Sequence, residues 1–480
     1  MYKLDDFTQV SPWIWELPTS TAIGMRVPAR IYVSKHMLED IFDERSIQQL
    51  VNVATLPGIE KHAMAMPDIH QGYGFPIGGV AAFRTSDGII SPGGVGYDIN
   101  CGVRLLRSTL SRDDLDDEMI TALANQMQRD VPSGIGRGGK LKLSDSQIDE
   151  VLNTGARWAL KQGYATEHDI EFTEEQGSHP DADASFVSAK AKNRGRDQLG
   201  TIGSGNHFLE LQEVTDVYDD EIAKTFGLFK RQIVIMIHTG SRGLGHQNCT
   251  DYVRVMNVEL QNKYNIDLPD RELACAPFNS REGQNYYKAM SACANFAWTN
   301  RQYIAHLVRG SWKHIFGEGD RSKLVQVYDV AHNMAKRETH DNVDYIVHRK
   351  GATRAFGPGR QEIPEAYQQT GQPVLIPGSM GTASYLLSGT DQAMKETFGS
   401  CCHGAGRQMS RMRAKKTLDY NKIKQSLEDY GVVVRAGSAR EVLEEAPEAY
   451  KDIDDVIDVV EKSGIAKTIA RMRPLAVIKG

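Results

Sequence analysis

Short apolar runs alternate with polar and amphipathic segments along the chain of 480 residues. Residues 232–238 and 324–332 are rich in β-branched side chains, and each run predicts a buried strand that ends in a histidine. Residues 373–376 predict a further strand, which leads into a loop of small residues. Loops at strand ends commonly carry functional groups, so these three junctions are candidate sites of chemistry.

Helical periodicity alternates with these runs. Residues 37–50, 112–129, 148–162, 282–309 and 441–461 predict helices. The aromatic side chains of residues 282–309 have the spacing of core packing. Residues 173–205 and 344–360 are turn-rich, basic segments that predict loops. The pattern contains no repeat and no long linker, so we expect residues 1–480 to form one large domain.

Composition narrows the class of protein. An apolar content of 40% and a charged content of 25% are typical of a water-soluble protein. The sequence has no apolar run of membrane-spanning length and no signal peptide, and six cysteines are too few for a disulfide framework. We therefore expect a cytoplasmic protein without a membrane partner. A net charge of −6 argues against indiscriminate nucleic-acid binding but allows a local basic groove.

A glycine-rich stretch from Pro67 to Arg104 contains Asp68, Asp98 and Cys101. Glycines allow tight turns and a close approach of the backbone to a ligand. Asp98 and Cys101 are three residues apart, so both can reach one metal ion, or a bridging sulfur can serve two.

Three histidines occupy comparable turns, namely His207, His238 and His332. Taken alone, a histidine at a strand end is more often a hydrogen-bonded core residue than a ligand. Together with Asp98 and Cys101 they form a donor set that suits Mn²⁺, Zn²⁺ or Fe²⁺. Five ligands exceed the needs of one tetrahedral site, which favours two ions bridged by Cys101, an arrangement suited to phosphoryl chemistry.

His403 precedes Gly-Ala-Gly and a basic segment that extends to Lys416. Backbone N–H groups in such a turn form an anion site, and an imidazole beside it can act as a general acid or base or as a nucleophile on phosphorus. Ser379 and Ser384 either add phosphate contacts or simply close a turn. Basic residues 190–196 and 407–416 either face solvent or bind a phosphate backbone.

Seven motifs in series match a known family: PDIHQGYGFPIGGV, GGVGYDINCGVR, GSGNHFLE, HTGSRGLGH, DVAHN, PGSMGT and HGAGR. In this order they closely resemble the RtcB family of RNA-splicing ligases, from about residue 20 to Gly480. The resemblance implies an α+β fold in which mixed β-sheets surround a central metal and nucleotide cleft, with peripheral helices.

The resemblance also implies an activity. Members join RNA ends bearing a 2′,3′-cyclic phosphate or a 3′-phosphate to 5′-hydroxyl ends, in tRNA splicing and RNA repair. They use GTP and two Mn²⁺ ions. The partners expected here are therefore RNA and GTP, with an archease-type protein as a further candidate.

Residue roles follow from the motif positions. Cys101 would bridge two ions, with Asp98 and His207 completing one site and His238 and His332 the other. His403 would be the nucleophile that accepts GMP, Asp68 would be a second catalytic residue, and Glu210 would read guanine. The other residues expected to contact the nucleotide are Asn206, Asn333, Pro377, Gly378, Ser379, Met380, Ser384, Gly404, Ala405, Gly406, Tyr450 and Lys479, in addition to the ligands His207 and His332. RNA would contact Arg242, Lys350, Arg407 and Arg411.

Two other functions are compatible with parts of the pattern. A dinuclear phosphodiesterase or phosphatase would use the metal ligands, with the glycines after His403 as a phosphate clamp. A non-enzymatic RNA-binding scaffold would use the basic segments but would leave the metal ligands unexplained.

Overall fold

Two large β-sheets organise the chain in the computed structural model, which describes residues 2–134 and 138–480. The strands are β1 (Thr8–Ser11), β2 (Ile14–Leu17), β3 (Ala29–Tyr32), β4 (Ala63–His70), β5 (Ile77–Arg84), β6 (Ile89–Ile90), β7 (Gly102–Ser111), β8 (Phe208–Val217), β9 (Gln232–Thr239), β10 (Ala276–Pro277), β11 (Leu324–Ala331), β12 (Asn333–His340), β13 (Val343–Lys350), β14 (Ala352–Arg354), β15 (Pro373–Ile376), β16 (Ser384–Gly389), β17 (Ser400–Cys402), β18 (Val433–Ala436) and β19 (Ala466–Lys479). The α-helices are α1 (Lys35–Asp40), α2 (Arg45–Val53), α3 (Asp117–Asp130), α4 (Asp145–Thr154), α5 (Ala156–Lys161), α6 (Glu167–Glu171), α7 (Ala189–Gly195), α8 (Asp220–Phe226), α9 (Arg242–Glu259), α10 (Arg281–Phe316), α11 (Asp391–Glu396), α12 (Arg411–Thr417), α13 (Tyr420–Asp429), α14 (Ala439–Glu444) and α15 (Ile453–Lys462).

The larger sheet has the order β11-β7-β9-β8-β19-β16-β15, and β18 extends it by pairing in parallel with the end of β19. The other has the order β1-β2-β3-β4-β5-β13-β12, in which only β3 and β4 are parallel. Strand β11 belongs to the first sheet and β12 to the second, and a single residue, His332, separates them. The chain therefore passes from one sheet to the other at a predicted metal ligand.

The position of strand β9 in the sheet explains why its sequence is apolar throughout. Val234 and Met236 join one buried cluster, whereas Ile233, Ile235 and Ile237 join another. Since successive side chains of a strand point to opposite faces, β9 is covered on both sides of the sheet. The predicted strands over residues 232–238, 324–332 and 373–376 are confirmed.

Helix α10 is the longest element, with 36 residues. The side chain of Ser280 caps its start by accepting a hydrogen bond from the N–H of Gly283. The helix packs against α3, α4, α5, α9 and β9, and its middle turns are buried on every side. The aromatic residues predicted to pack in the core are buried there: Tyr286, Tyr287, Phe296, Trp298 and Tyr303.

Several sequence predictions need correction. The helix predicted over residues 148–162 is divided into α4 and α5 at Gly155, whose φ of 59° is left-handed. The segment 173–205 contains helix α7, and the segment 344–360 begins within strand β13, whose last six residues are buried. Within the basic segment 407–416, a helix begins only at Arg411.

The predicted α+β class is confirmed by the two mixed sheets and their surrounding helices. That residues 1–480 form one domain stays a prediction. Among the residues that the structure describes, no helix combines the length and the apolar character needed to cross a membrane.

Candidate active site

The register of the strands brings the predicted metal ligands together at the ends of neighbouring strands in the larger sheet. His238 of β9 pairs with Val103 of β7 on one side and with Phe208 of β8 on the other. Cys101 directly precedes β7 and His207 directly precedes β8. Ala331 at the end of β11 pairs with Gly102, which brings His332 beside Cys101. The antiparallel pairing thus gathers four ligands that are far apart in the sequence.

Cys101 lies at the centre of the cluster. Its Sγ is 3.3 Å from Nε2 of His207 and 3.3 Å from Nε2 of His238. Nε2 of His238 is also 3.3 Å from Nε2 of His332, and Nε2 of His207 is 2.8 Å from Oδ2 of Asp98. These side chains form two possible metal-binding groups, one with Asp98 and His207 and one with His238 and His332, and Cys101 belongs to both.

The hydrogen bonds of His207 indicate a cation at this position. Its Nδ1–H donates to the carbonyl of Ile202 at 3.0 Å, which leaves a lone pair on Nε2. That lone pair faces a carboxylate oxygen of Asp98, so a proton or a metal ion must lie between them. Burial favours the neutral form of Asp98, but His207 and Arg242 outweigh that effect and lower its pKa to about 2. Asp98 is therefore an anionic ligand at neutral pH.

The second group has the same character. Burial lowers the pKa of His238 and of His332 well below the usual value, so both imidazoles are neutral and can donate lone pairs. Their Nδ1 atoms have no hydrogen-bond partner among the described residues. Burial, with Asp98 close by, raises the pKa of the Cys101 thiol well above its usual value, so metal binding here would release a proton. The donor set fits a borderline divalent metal.

A guanidinium supports the ligands from behind. Arg301 of α10 is fully buried, and its Nη1 donates to the carbonyls of Asn100 and Thr239 at 2.7 and 2.9 Å. Its Nη2 donates to Oδ1 of Asn100 at 2.9 Å, and a two-pronged ion pair joins it to Asp329. Arg301 therefore holds the loop of Asp98 and Cys101, the end of β9 beside His238, and the strand that leads to His332.

His403 and Asp68 form a separate pair. Oδ2 of Asp68 accepts hydrogen bonds from Nδ1 of His403 at 2.5 Å and from its backbone N–H at 3.0 Å. Since an ionised carboxylate can only accept, Nδ1 carries the proton and Nε2 keeps its lone pair. The imidazole packs edge-on against that of His332, with 4.8 Å between ring centroids. This geometry provides an oriented nucleophilic nitrogen beside the metal ligands.

A cavity of about 580 Å³ opens at His403. That volume is within the range typical of small-molecule sites. Residues from several of the sequence motifs line it, and those with a predicted nucleotide role are Asn206, Pro377, Gly378, Ser379, Met380, His403, Gly404, Ala405, Gly406, Tyr450 and Lys479. The metal cluster adjoins it through His238, which also lines the cavity.

Glu210 lies deeper, on β8. Its carboxylate accepts a hydrogen bond from Nε2 of Gln212 at 2.7 Å, and the same nitrogen donates to Oγ of Ser384 at 3.1 Å. Burial raises the pKa of Glu210 to about 7, although Gln212 and Lys479 oppose the shift. Ser384 also accepts from the N–H of Gly378, so it braces the loop that lines the cavity.

The buried carboxylate of Glu445 lies in the wall of the cavity and contacts several residues with predicted nucleotide or RNA roles. Arg407 and Arg411 donate to Oε1 at 3.3 and 3.2 Å, and the hydroxyl of Tyr450 donates to Oε2. Nζ of Lys479 is 3.9 Å from the same carboxylate. Burial lowers the pKa of Lys479 and raises that of Tyr450. Sequence reasoning gave no signal for Glu445 or for Arg301.

The remaining predicted residues have distinct surroundings. Asn333 donates to the carbonyl of Asp98 at 3.1 Å and accepts from the N–H of Gly351, so it braces the metal loop. Arg242 starts α9 and donates to Oγ1 of Thr201. The ammonium of Lys350 is buried and donates to the carbonyls of Tyr73, Phe75 and Gly93. For Lys350 a contact with RNA stays a prediction that this geometry does not favour.

A cluster of nitrogen, sulfur and oxygen donors around one shared thiol lies next to an oriented histidine and a basic cavity, an arrangement that could hold metal ions and act on phosphate groups. A family model described as "tRNA-splicing ligase RtcB" matches residues 49–480. The chain belongs to this family, and the predicted resemblance is confirmed.

Individual relatives are similar over nearly the whole chain. The tRNA-splicing ligase RtcB of Archaeoglobus fulgidus is 54% identical over 477 residues, which cover 98% of either chain. The protein of that name from Thermococcus kodakarensis is 53% identical, over 97% of either chain. The one from Methanococcus maripaludis is 51% identical, over 98% of this chain and 99% of its own.

Replacement of Arg301 by lysine should weaken metal binding. Lysine keeps the charge but has three N–H donors on one nitrogen, so it cannot replace the five hydrogen bonds that the planar guanidinium of Arg301 makes. We expect the affinity for Mn²⁺, measured by titration calorimetry, to fall about tenfold or more, the effect typical of lost support behind metal ligands. Arg104→Lys is the matched control, because Arg104 is equally buried and also pairs with Asp329, but its other side-chain hydrogen bonds go to Gln302 and Thr173. Equal losses in both variants would assign Arg301 to general stability.

Proposed function

We propose that this protein joins RNA 2′,3′-cyclic phosphate or 3′-phosphate ends to 5′-hydroxyl ends, with GTP and two Mn²⁺ ions. RNA ligation in tRNA splicing is the function for which its family is named. The observation that carries the proposal is the pair of Asp68 and His403 at the cavity, next to a donor set divided into two groups by Cys101.

The first step would be guanylylation of the protein. Nε2 of His403 attacks the α-phosphorus of GTP, a P–N bond forms, and pyrophosphate leaves. Asp68 keeps the proton on Nδ1 and stabilises the positive charge that develops on the ring. Metal ions at the Cys101 cluster would reduce the repulsion between the phosphates and the incoming electron pair.

The next steps would transfer GMP to RNA. An oxygen of the RNA 3′-phosphate attacks the phosphorus held by His403, which releases the imidazole and activates the RNA end. The 5′-hydroxyl of the second RNA then attacks the 3′-phosphate and expels GMP. A 2′,3′-cyclic end would first be opened by water to a 3′-phosphate.

Nucleotide recognition would come from the lining of the cavity and from Glu210 and Ser384, which lie outside that lining. The N–H groups of Gly404 to Gly406, together with Asn206, would hold phosphate oxygens. Glu210 in its ionised form would accept the N1 and N2 hydrogens of guanine, which adenine lacks. Ser379, Ser384, Tyr450 and Lys479 would complete the site. Arg407 and Arg411 would bind RNA phosphates, and Arg242 would do so nearer the metal ligands.

Alternative functions are less well supported. A dinuclear phosphodiesterase or phosphatase would account for the metal ligands but does not need a nucleophilic nitrogen oriented by Asp68. An RNA-binding scaffold would need neither group. An archease-type activator and a cytoplasmic location stay predictions from the sequence.

Protein labelling tests the nucleophile. Incubation with GTP labelled at the α-phosphate and Mn²⁺, followed by denaturation, should leave an acid-labile, alkali-stable label on the protein. His403→Ala should abolish the label, and Asp68→Asn should slow labelling by roughly 10²-fold or more because the tautomer is no longer fixed. The exposed residue His314 supplies the control His314→Ala. Label retained in His403→Ala would refute the assignment.

The number of metal ions bound per protein chain tests whether Cys101 is a ligand shared by two ions. Since Cys101 belongs to both groups of donors, Cys101→Ala should reduce Mn²⁺ binding at both positions. Bound metal per protein chain, measured by atomic emission after gel filtration, should fall from two ions towards none. Cys275→Ala removes a buried thiol outside both groups and should leave the count at two. Full occupancy of either position without Cys101 would contradict a shared ligand.

Glu210 predicts a pH-dependent preference for guanine. Its pKa is raised to about 7, so the acceptor form required for guanine is lost as the pH falls below that value. GTP affinity, measured from pH 6 to pH 8.5, should rise with pH in the wild type. Glu210→Gln should flatten that profile and reduce the preference for GTP over ATP by about tenfold or more. An unchanged preference would mean that another group reads the base.

A further inference from the structure

Three aromatic side chains from three different sequence motifs meet beside the metal ligands. Tyr73 lies in the first motif, Tyr97 in the second and His246 in the fourth, and none has a role in the function proposed above. The rings of Tyr73 and Tyr97 pack edge to face, with 5.2 Å between centroids. Those of Tyr97 and His246 are stacked at 4.7 Å with 27° between their planes. We call these three residues the aromatic ladder.

The ladder is not part of a hydrophobic core. Tyr73 and Tyr97 are half-buried and His246 is exposed, whereas the aromatic residues that serve packing, such as Tyr286 and Trp298, are fully buried. An exposed aromatic series that contributes little to the core retains ring faces for a ligand.

Both arginines and carboxylates surround the ladder, the carboxylates being Asp98 and Glu272. His246 lies one turn after Arg242 on α9, so both side chains project from the same face of the helix. Arg194 of α7 lies against this helix, and its Nη1 donates to Gln247 at 3.2 Å. Within residues 2–134 and 138–480, neither arginine has a carboxylate partner in an ion pair. Arg194 therefore lies near His246 without a carboxylate partner, whereas Arg242 is close enough to Asp98 for each group to shift the pKa of the other.

The ladder also adjoins the reacting groups. Tyr97 directly precedes the ligand Asp98, and Asp98 is close enough to His246 to influence its pKa. Burial and Arg194 lower the pKa of His246, so its ring is neutral at pH 7 and offers an uncharged face for stacking. Aromatic faces next to unpaired cations are the combination that binds single-stranded nucleic acid, because every base has a π-face and every nucleotide a phosphate.

We propose that the aromatic ladder is a stacking subsite for an unpaired base at an RNA end, with Arg194 and Arg242 binding the adjacent phosphates. The subsite deepens the function proposed above and rests on it. It selects ends with unpaired terminal nucleotides over ends in a blunt duplex, without reading their sequence. The guanine of GTP is the competing occupant.

Binding of fluorescent RNA tests the subsite in the full-length protein with Mn²⁺ and without GTP, so that no ligation occurs. The RNA carries 2-aminopurine as an unpaired terminal base, either on the 5′-hydroxyl strand or on the 3′-phosphate strand. Stacking on the ladder should quench the fluorescence of one of the two strands on binding. Tyr97→Leu and His246→Leu should each weaken binding of that strand about tenfold and abolish the quenching.

Controls separate stacking from other effects. Tyr97→Phe keeps the ring and should restore most of the affinity and the quenching. Tyr218→Leu changes an exposed tyrosine at the other end of β8 and should have no effect. Thermal melting of each variant, and in particular of the exposed-site variant His246→Leu, verifies folding.

The outcomes distinguish the subsite from the function on which it rests. Unchanged RNA affinity and quenching in both leucine variants would overturn the subsite, as would an equal loss of affinity for a blunt duplex. Weaker binding of GTP in place of RNA would assign the ladder to the nucleotide and also overturn it. If the wild-type protein binds RNA and is labelled by GTP but shows no quenching, the proposed subsite would be refuted and the proposed function would stand. If the wild-type protein neither binds RNA nor is labelled by GTP, the proposed function would be refuted as well.

Discussion

The ion pair between Arg301 and Asp329 is the interaction on which the geometry of the site depends. Both side chains are fully buried, and a charge buried without a partner costs several kcal/mol (about 3–5 when one member of a buried pair is removed). The pair is stable because every N–H of the guanidinium has an acceptor, and two of these acceptors are carbonyls of the metal-ligand segments. The desolvated charge thereby fixes the backbone that carries the ligands. The same ion pair thus stabilises the fold and positions the proposed ligands.

The second sheet supports His403, the proposed nucleophile. Strand β4 ends just beyond Asp68, and the turn after His403 approaches it so closely that a Cβ atom at Gly406 would lie 2.3 Å from the Asp68 carbonyl oxygen. Gly406 also has a left-handed φ of 76°, so glycine is required here for two reasons. Lys451 donates to the carbonyls of Pro67 and Ile69 on either side of Asp68. The imidazole of His403 is therefore held by one sheet and the proposed metal ligands chiefly by the other, and His332 lies at their junction.

Local patterns in the sequence were sufficient for the parts of this arrangement that depend on short segments. The apolar run of β9 and its terminal His238 predicted a strand and a ligand, since a strand covered on both faces must be apolar throughout. Helix α7 and strand β13 were missed because their polar residues match the composition of loops, and long-range pairing decides their structure. Arg301 and Glu445 were missed because their acceptors and donors are supplied by other elements. The separation of the donors into two groups was suggested by residue types, but only the register of β7, β8, β9 and β11 brings them together.

Local charge explains how a protein with a net charge of −6 presents a site for phosphates. At the wall of the cavity, Glu445 provides one carboxylate for Arg407, Arg411 and Lys479. Without it, three cations would repel each other in a region of low dielectric constant, and the burial of Lys479 would be more costly. With it, positive charge still exceeds negative charge among these four groups, and the arginines stay aligned. A phosphate that enters meets cations already held in place, so it does not bear the cost of ordering them.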